Sequence, residues 1–461
     1  MTTTEDEGRP TMVRTPSPRA AGRQPRDAAP SAPRLEALLG DPDDPANPYG
    51  RAALASARRA QSPDAHDDVL ARAVPRSEGP GTDADRLVRV LRPLLRRDLA
   101  LGHAWAARLL TATPARPDEG ARALLGPAAL IAATGGALYS TARLVDARAP
   151  HEPAVRQWQP ALAAVFADLL ACECLTATAL RATHPDDGAD TLPVAVVGHL
   201  VPQLVADLLD DLELVLHETG FGPDTTERRA LAALHAQRPA AGVDRDAAAA
   251  HRTRLAELVR TLAEPAEPAD SGEPTEPAER TGRAAVAAGG QDPLLPDLFR
   301  LDRPAARLTA PAGGARWGRA LLSVLPDTAR LADAEARDPA VTALARTARR
   351  LAVEQRAVLR ACATAQPDDP AHPAARALAD RCATVLLAGA ALGVARAAAR
   401  SREPFLGGPD WILLALERLA HRLGTPLPGP QAAPHTGVWT ELAERTRRGV
   451  DCDARATKLL W

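Results

Sequence analysis

The stretch TLPVAVVGHLVPQLVADLLDDLELVLHETG, residues 191–220, is written in the period of an α-helix. Val194, Val197, Val201, Leu204, Leu208, Leu212 and Val215 recur at intervals of three and four, which gathers them on one face. Gly220 supplies a residue suited to the left-handed turn that closes such a helix. The pattern predicts a helix over 191–219. No alternation of the strand period competes with it.

The same period extends outward in both directions. Trp158, Leu162, Val165, Leu169 and Cys172 predict a helix over 157–183, and another is expected over 118–147. Long amphipathic helices joined by short connections favour an antiparallel bundle. Further helices are expected over 224–238 and 245–263. On the N-terminal side, Leu87, Leu91, Leu94, Leu101, Trp105 and Leu109 define one face of a helix over 83–112. Pro93 should kink this helix or mark its effective start. The turn chemistry of Thr113–Pro117 ends it. Asp41–Pro48 is a turn between a short helix near Leu35 and a second near Arg51–Ala60, and 61–82 reads as loop.

Composition shifts mark the expected domains. Residues 1–33, rich in Pro, Arg, Ser and Thr, predict a disordered leader. Residues 34–116 form an N-terminal helical segment and 117–263 a helical bundle. The Glu-Pro repeats within 264–292 predict an extended linker. Beyond it, 293–461 reads as a second helical region, with helices near 326–336, 338–365, 372–401, 409–424 and 437–448.

Across all 461 residues, 46% are hydrophobic and 25% charged, as in globular chains with real cores. Isoleucine occurs only at Ile131 and Ile412, and aromatic residues make up 3%, so sheet-forming residues are scarce while Ala, Leu, Arg and Glu abound. The expected class is all-α. Lys458 is the one lysine, an arginine bias expected of a GC-rich coding sequence. A net charge of −2 excludes a general polyanion binder, so no nucleic-acid partner is expected. The five cysteines, Cys172, Cys174, Cys362, Cys382 and Cys452, have neither disulfide nor zinc spacing. The opening MTTTEDEGRP is unlike a secretory signal, and no uninterrupted apolar run approaches the roughly 20 residues that cross a bilayer. The expectation is a cytoplasmic protein without a membrane span.

Few residue constellations suggest chemistry. Asp210, Glu213 and His217 share a helical face, but a carboxylate-bridged metal site needs a second set on a facing helix. A solvated face with a Glu213–His217 contact is expected instead, and no metal site is assigned. Cys172 and Cys174 point to nearly opposite sides of their helix and read as core. Arg86, Arg89, Arg92, Arg96 and Arg97 are read as a solvated basic face, with an acidic partner or a CoA phosphate as the alternative. No phosphate loop, dinucleotide fingerprint, zinc-protease motif or nucleophile elbow occurs.

Several stretches resemble acyl-CoA dehydrogenases, especially a subgroup with a helical C-terminal extension. They are LEALLGDPDDPANPYGRAAL (35–54), RLVRVLRPLLRRDLALG (86–102), and the run 118–221 with FADLLACECL (166–175) and LVPQLVADLLDDLELVLHETGF (200–221). PFLGGPDWILLALERLAHRLG (404–424) resembles part of the extension. The resemblance implies an N-terminal helical domain, a middle β-domain, a four-helix bundle that mediates oligomerisation, FAD between them, and dehydrogenation of an acyl-CoA thioester at Cα–Cβ. Here only Thr113–Pro117 separates the first domain from the bundle, too short to hold a sheet. The family's Arg-x-x-aromatic-Gly, whose arginine meets the FAD pyrophosphate, is matched by Arg148-Ala149-Pro150-His151-Glu152. Arg148 is thus the implied cofactor residue, with an acid where the family has glycine. The family's glutamate base has no matching loop after Phe221, and its alternative position points to Glu119. Two functions follow: a flavin-dependent acyl-CoA dehydrogenase-like oxidoreductase, or a non-catalytic helical subunit. The second would oligomerise with itself or with an intact acyl-CoA dehydrogenase.

Overall fold

The computed structural model describes residues 31–59, 84–111, 119–184, 188–263, 295–303, 314–331, 339–364, 367, 369–425 and 434–460. Residues 1–30 of the expected leader, the loop 61–82, the turn at 113–117 and the whole 264–292 linker lie outside the described residues, while 31–33 already belong to a helix. In chain order the helices are α1 (Ser31–Leu39), α2 (Arg51–Arg59), α3 (Ala84–Arg97), α4 (Leu99–Thr111) and α5 (Glu119–Arg148). Next come α6 (Pro153–Arg156), α7 (Gln159–Ala182), α8 (Leu192–Glu218), α9 (Thr226–Gln237) and α10 (Arg245–Ala263). The last are α11 (Leu295–Leu298), α12 (Gly314–Leu331), α13 (Pro339–Thr364), α14 (Pro373–Arg400), α15 (Pro409–Arg422) and α16 (Pro434–Arg448). Among the described residues there is no strand, only an isolated antiparallel bridge between Val450 and Lys458. The chain is all-α.

Helix α7 is the axis. Every residue from Leu162 to Ala182 is buried, so no polar face remains, as expected for a helix surrounded on all sides. It is ringed by α5, α8, α14, α15 and α16, while α10 packs on α8 and α3 on α5. The helices before and after the 264–292 segment therefore share one core.

Local chemistry sets the ends. Proline occupies the first turn of α7, α8, α14 and α15, where its missing N–H costs no hydrogen bond. Helix α8 closes at Gly220 with φ +80. The Gly220 N–H donates to the His217 carbonyl at 3.0 Å and Phe221 N–H to Leu216 at 3.0 Å, a Schellman closure.

Two expectations require correction. The 83–112 helix is two helices, and the break falls at Asp98 rather than Pro93, which stays inside α3. Asp98 caps α4, its Oδ1 accepting from Leu101 N–H at 2.9 Å. The fold-back is sharp enough that a Cβ on Gly102 would sit 2.9 Å from Leu95 Cα. The second correction concerns membrane spans. Glu119–Arg148, Pro153–Ala182, Leu192–Glu218 and Pro373–Arg400 are each long and apolar enough to cross a bilayer by length and composition. Scanning for uninterrupted apolar runs misses them, because isolated Thr, Ser, His or Gln residues interrupt a run without making a helix polar. Within this fold, 89%, 94%, 83% and 89% of their apolar windows are buried against protein.

Candidate functional site

The arginines of α3 do not form a solvated face. Arg92 is buried and the Arg96 side chain is nearly so, because both turn inward onto acidic residues from distant parts of the chain. Arg92 Nε donates to Asp451 Oδ2 at 2.9 Å and its Nη1 to Glu173 Oε1 at 3.2 Å. Arg96 Nη1 donates to the same Asp451 oxygen at 2.7 Å, and its Nη2 to Glu36 Oε1 at 2.6 Å. The acids they meet belong to the same chain. Arg97 donates to the carbonyls of Leu39, Gly40 and Tyr49, and burial lowers its guanidinium to about 10.

Segment 449–460 supplies the key acids by folding into the core. Asp451 and Cys452 are fully buried and Asp453 almost so. Asp451 N–H donates to the Thr457 carbonyl at 2.8 Å and Leu459 N–H to Gly449 at 2.7 Å, so the segment is a closed loop. Arg445 Nη1 holds the loop's backbone through the carbonyls of Asp451 and Asp453, at 3.2 and 2.6 Å. The Arg445 guanidinium also lies 5.1 and 5.2 Å from the ring centres of Phe166 and Phe405, within cation–π range.

Burial works upward on the Asp451 carboxyl, and Arg92 and Arg96 more than offset it, holding it at about 2. Burial pushes Glu173 up to about 6. Arg92 pulls it down and Asp453 pushes it further up. Neighbouring carboxylates thus differ because two guanidinium groups hydrogen-bond Asp451, whereas only one, that of Arg92, hydrogen-bonds Glu173 and the charges of Asp453 and Asp451 act against its ionisation.

A second cluster adjoins the first. Asp85 accepts from Arg181 at 3.1 Å and pairs with Arg89 and Arg455 at 3.4 Å each. Burial opposes its ionisation, yet Arg455, Arg181 and Arg89 hold it below the usual carboxylate range. Between the clusters, α3, α5 and α7 leave a cleft of about 30 Å³. Asp85, Arg89, Arg92, Glu173, Thr176 and Arg455 provide its polar lining, with Val88, Ala128, Ile131, Ala177 and Leu180 apolar.

The residues implied by resemblance lie elsewhere. Glu119 is exposed in the first turn of α5, and Arg148 ends the same helix. Thirty residues at 1.5 Å rise separate them by roughly 44 Å. One site within one chain cannot use both. Arg148 Nε and Nη2 clamp the Glu152 carboxylate at 2.8 and 2.5 Å, and Nη1 donates to the Thr219 carbonyl at 2.8 Å. Its guanidinium also lies 5.0 Å from the Phe221 ring centre. A pyrophosphate would have to displace a carboxylate tethered four residues away, so these residues do not fit the phosphates of FAD.

Asp210, Glu213 and His217 are exposed, as expected. The predicted Glu213–His217 contact gives way to Glu213–Arg228 at 3.3 Å and His217–Glu218 at 3.2 Å. Cys172 and Cys174 are buried free thiols, both pushed up by burial. Among the described residues no cluster of His, Cys, Asp and Glu is placed to hold a metal ion.

Sequence reasoning missed Glu173, Asp451, Asp453 and the linkage of buried His199 to Asp380, 2.9 Å apart. Glu173 carried a usable signal: it is the lone charge between Asp168 and Arg181 on an apolar helix. Comparison with protein-family models, with curated proteins and with solved structures finds no match to this chain.

Proposed function

We propose that the chain is a non-catalytic helical subunit, related to the acyl-CoA dehydrogenase bundle, that assembles with itself or with an intact enzyme of that type. The observation that carries this is the seating of Asp451 and Asp453 among the α3 arginines. The charges best placed to hold an anionic substrate are thereby committed to the chain's own acids. Arg148 is likewise committed to Glu152. The four long apolar helices serve as the core of a soluble bundle: their apolar windows face protein. The large hydrophobic residues exposed among the described residues, Leu214, Val341, Val353 and Leu460, are single side chains.

The test is absorbance between about 350 and 500 nm after incubation with FAD and desalting, with light scattering for mass and carbonate extraction of cell membranes. The expected outcome is a colourless, extractable protein of defined oligomeric mass. A retained flavin band that bleaches with an acyl-CoA overturns the proposal, and so does a strictly monomeric protein that captures no dehydrogenase.

The dehydrogenase alternative retains one favourable observation. Glu173 is a buried carboxylate whose affinity for protons is raised towards neutrality beside a cleft, the condition under which a carboxylate acts as a general base. Were the flavin band to appear, Glu173→Gln is the variant to assay first.

A further inference from the structure

We propose that the outer face of α13 is a docking surface for the chain's own segment 264–279, whose evenly spaced acids pair with the arginines of that helix. The proposal does not depend on whether the chain is catalytic or a subunit.

Helix α13 is sharply two-sided. Leu351, Ala352, Gln355, Val358 and Cys362 are buried against the core, while Arg346, Arg349, Arg350, Arg356 and Arg360 are exposed. At 3.6 residues per turn these five arginines fall within roughly a third of the helix circumference. Arg349 is partly committed, its Nη2 donating to the Ala329 carbonyl at 3.4 Å. The other four form no ion pair among the described residues. The one acid of the helix, Glu354, lies off this face and pairs with Arg381 of α14. Arg346 and Arg350 stand four residues apart, as do Arg356 and Arg360, and like charges at that spacing destabilise a helix. The face therefore gains from a counter-charge that the described residues do not supply.

The sequence carries that counter-charge in a matching form. Glu264, Glu267, Asp270, Glu273, Glu276 and Glu279 recur at every third residue, and no basic residue interrupts them before Arg280. Pro265, Pro268, Pro274 and Pro277 each follow one of these acids. Proline at this density favours the polyproline II form, which has three residues per turn and so brings all six acids to one edge. At about 3.1 Å per residue, Glu264 to Glu273 covers about 28 Å, enough to match the row from Arg346 to Arg360, about 21 Å of helix.

The point of attachment selects this occupant. Helix α10 ends at Ala263 and packs against α13. Arg260 Nη2, in its last turn, donates to the carbonyl of Pro367 at 2.7 Å, three residues beyond the end of α13. Glu264 thus leaves the core at the Arg360 end of the row, and the segment has only to run back along the helix towards Arg346. A tether this short gives the segment a high effective concentration over any untethered anion.

The test uses the full chain with two spin labels. The five native cysteines are buried, so Ala357→Cys, on the exposed face, and Ser271→Cys are labelled selectively. Dipolar spectroscopy at about 0.1 M sodium chloride should give one narrow, short-distance peak. At about 1 M, where the screening length falls to about 3 Å, the peak should broaden and move to longer distance. Replacing Arg346, Arg350, Arg356 and Arg360 with Gln should abolish the peak at low salt, with the urea midpoint unchanged because these side chains are exposed. Replacing the six acids with their amides should abolish it too, which keeps the test valid should the arginine variant fail to fold. A distribution already broad at 0.1 M overturns the proposal, as does a narrow peak that survives either set of substitutions. So does a peak that needs two chains, each labelled at one position, since a second copy then supplies the segment. Wild-type chain that sediments with phosphatidylserine vesicles, and no longer does so in the arginine variant, assigns the face to a lipid surface and overturns the proposal as well.

Discussion

Helices α3 and α14 both pack into the same core, but by opposite means. From Ala383 to Ala395, α14 has no charged residue and is buried throughout, all but Thr384 being alanine, glycine, valine or leucine. Where it crosses α12 the backbones touch: a Cβ on Gly389 would sit 2.3 Å from the Leu321 carbonyl oxygen. Over fourteen residues α3 carries Arg86, Arg89, Arg92, Arg96 and Arg97, yet Arg92 is buried alongside its leucines. Apolar burial needs no particular partner. Ionic burial needs a specific acid in a specific place, which makes it poor at adding stability but strict about which structure is acceptable.

The contrast can be broken most forcefully at Asp451. Asp451→Ala leaves Arg92 and Arg96 buried without their shared acid, and should cost about 3–5 kcal/mol in urea unfolding. An effect below about 1 kcal/mol would mean that water reaches the arginines. Leu387→Ala on α14 should cost about 3 kcal/mol, the transfer and cavity cost of a buried leucine, with the effect insensitive to salt and pH. A pH-dependent loss there would blur the distinction between the two regions.

Glu173 sharpens it through pH. Its pKa in the fold, about 6, lies above the ordinary glutamate value of 4.5, so its protonated form is the one folding favours. That contribution is fully present below about 4.5 and is lost as pH rises through about 6. Glu173→Gln should therefore flatten the stability profile across this window by up to about 2 kcal/mol, read as the wild-type-minus-variant difference in unfolding free energy. A difference that grows towards alkaline pH contradicts the assignment. Asp451, held at about 2, has the opposite sign: its contribution is present above about 4 and falls away as acid approaches 2. The smallest effect should come from the surface pair. Glu152→Ala should leave the thermal midpoint within error, since both partners are solvated.

What could be read from the sequence divides along the same line. Helices α8, α10 and α14 were placed to within about a residue because an apolar face and a glycine or proline at the end are local signals. Helix α12 begins well before the expected 326, because Trp317, Leu321, Leu322 and Leu325 lie in a stretch broken by Gly314, Gly318 and Arg319. The all-round burial of α7 was hidden because one apolar stripe is enough to predict a helix without saying how many neighbours it has. The Arg86–Arg97 cluster was misread because the pattern records which residues avoid the leucine face, not whether an acid lies ready elsewhere. Asp451 lies 359 residues from Arg92, beyond the reach of any periodicity.

That distance also has a kinetic meaning. When α3 leaves the ribosome, the loop that will neutralise it has yet to be translated, so Arg92 and Arg96 must stay hydrated while the helices between them collapse. Closing a contact over so long a separation is slow, and until it closes Arg92 and Arg96 are without Asp451. Docking of the 449–460 loop is thus a late checkpoint: chains that have not reached it carry unneutralised arginines at the heart of the fold, and so stay open to chaperones and proteases for longer.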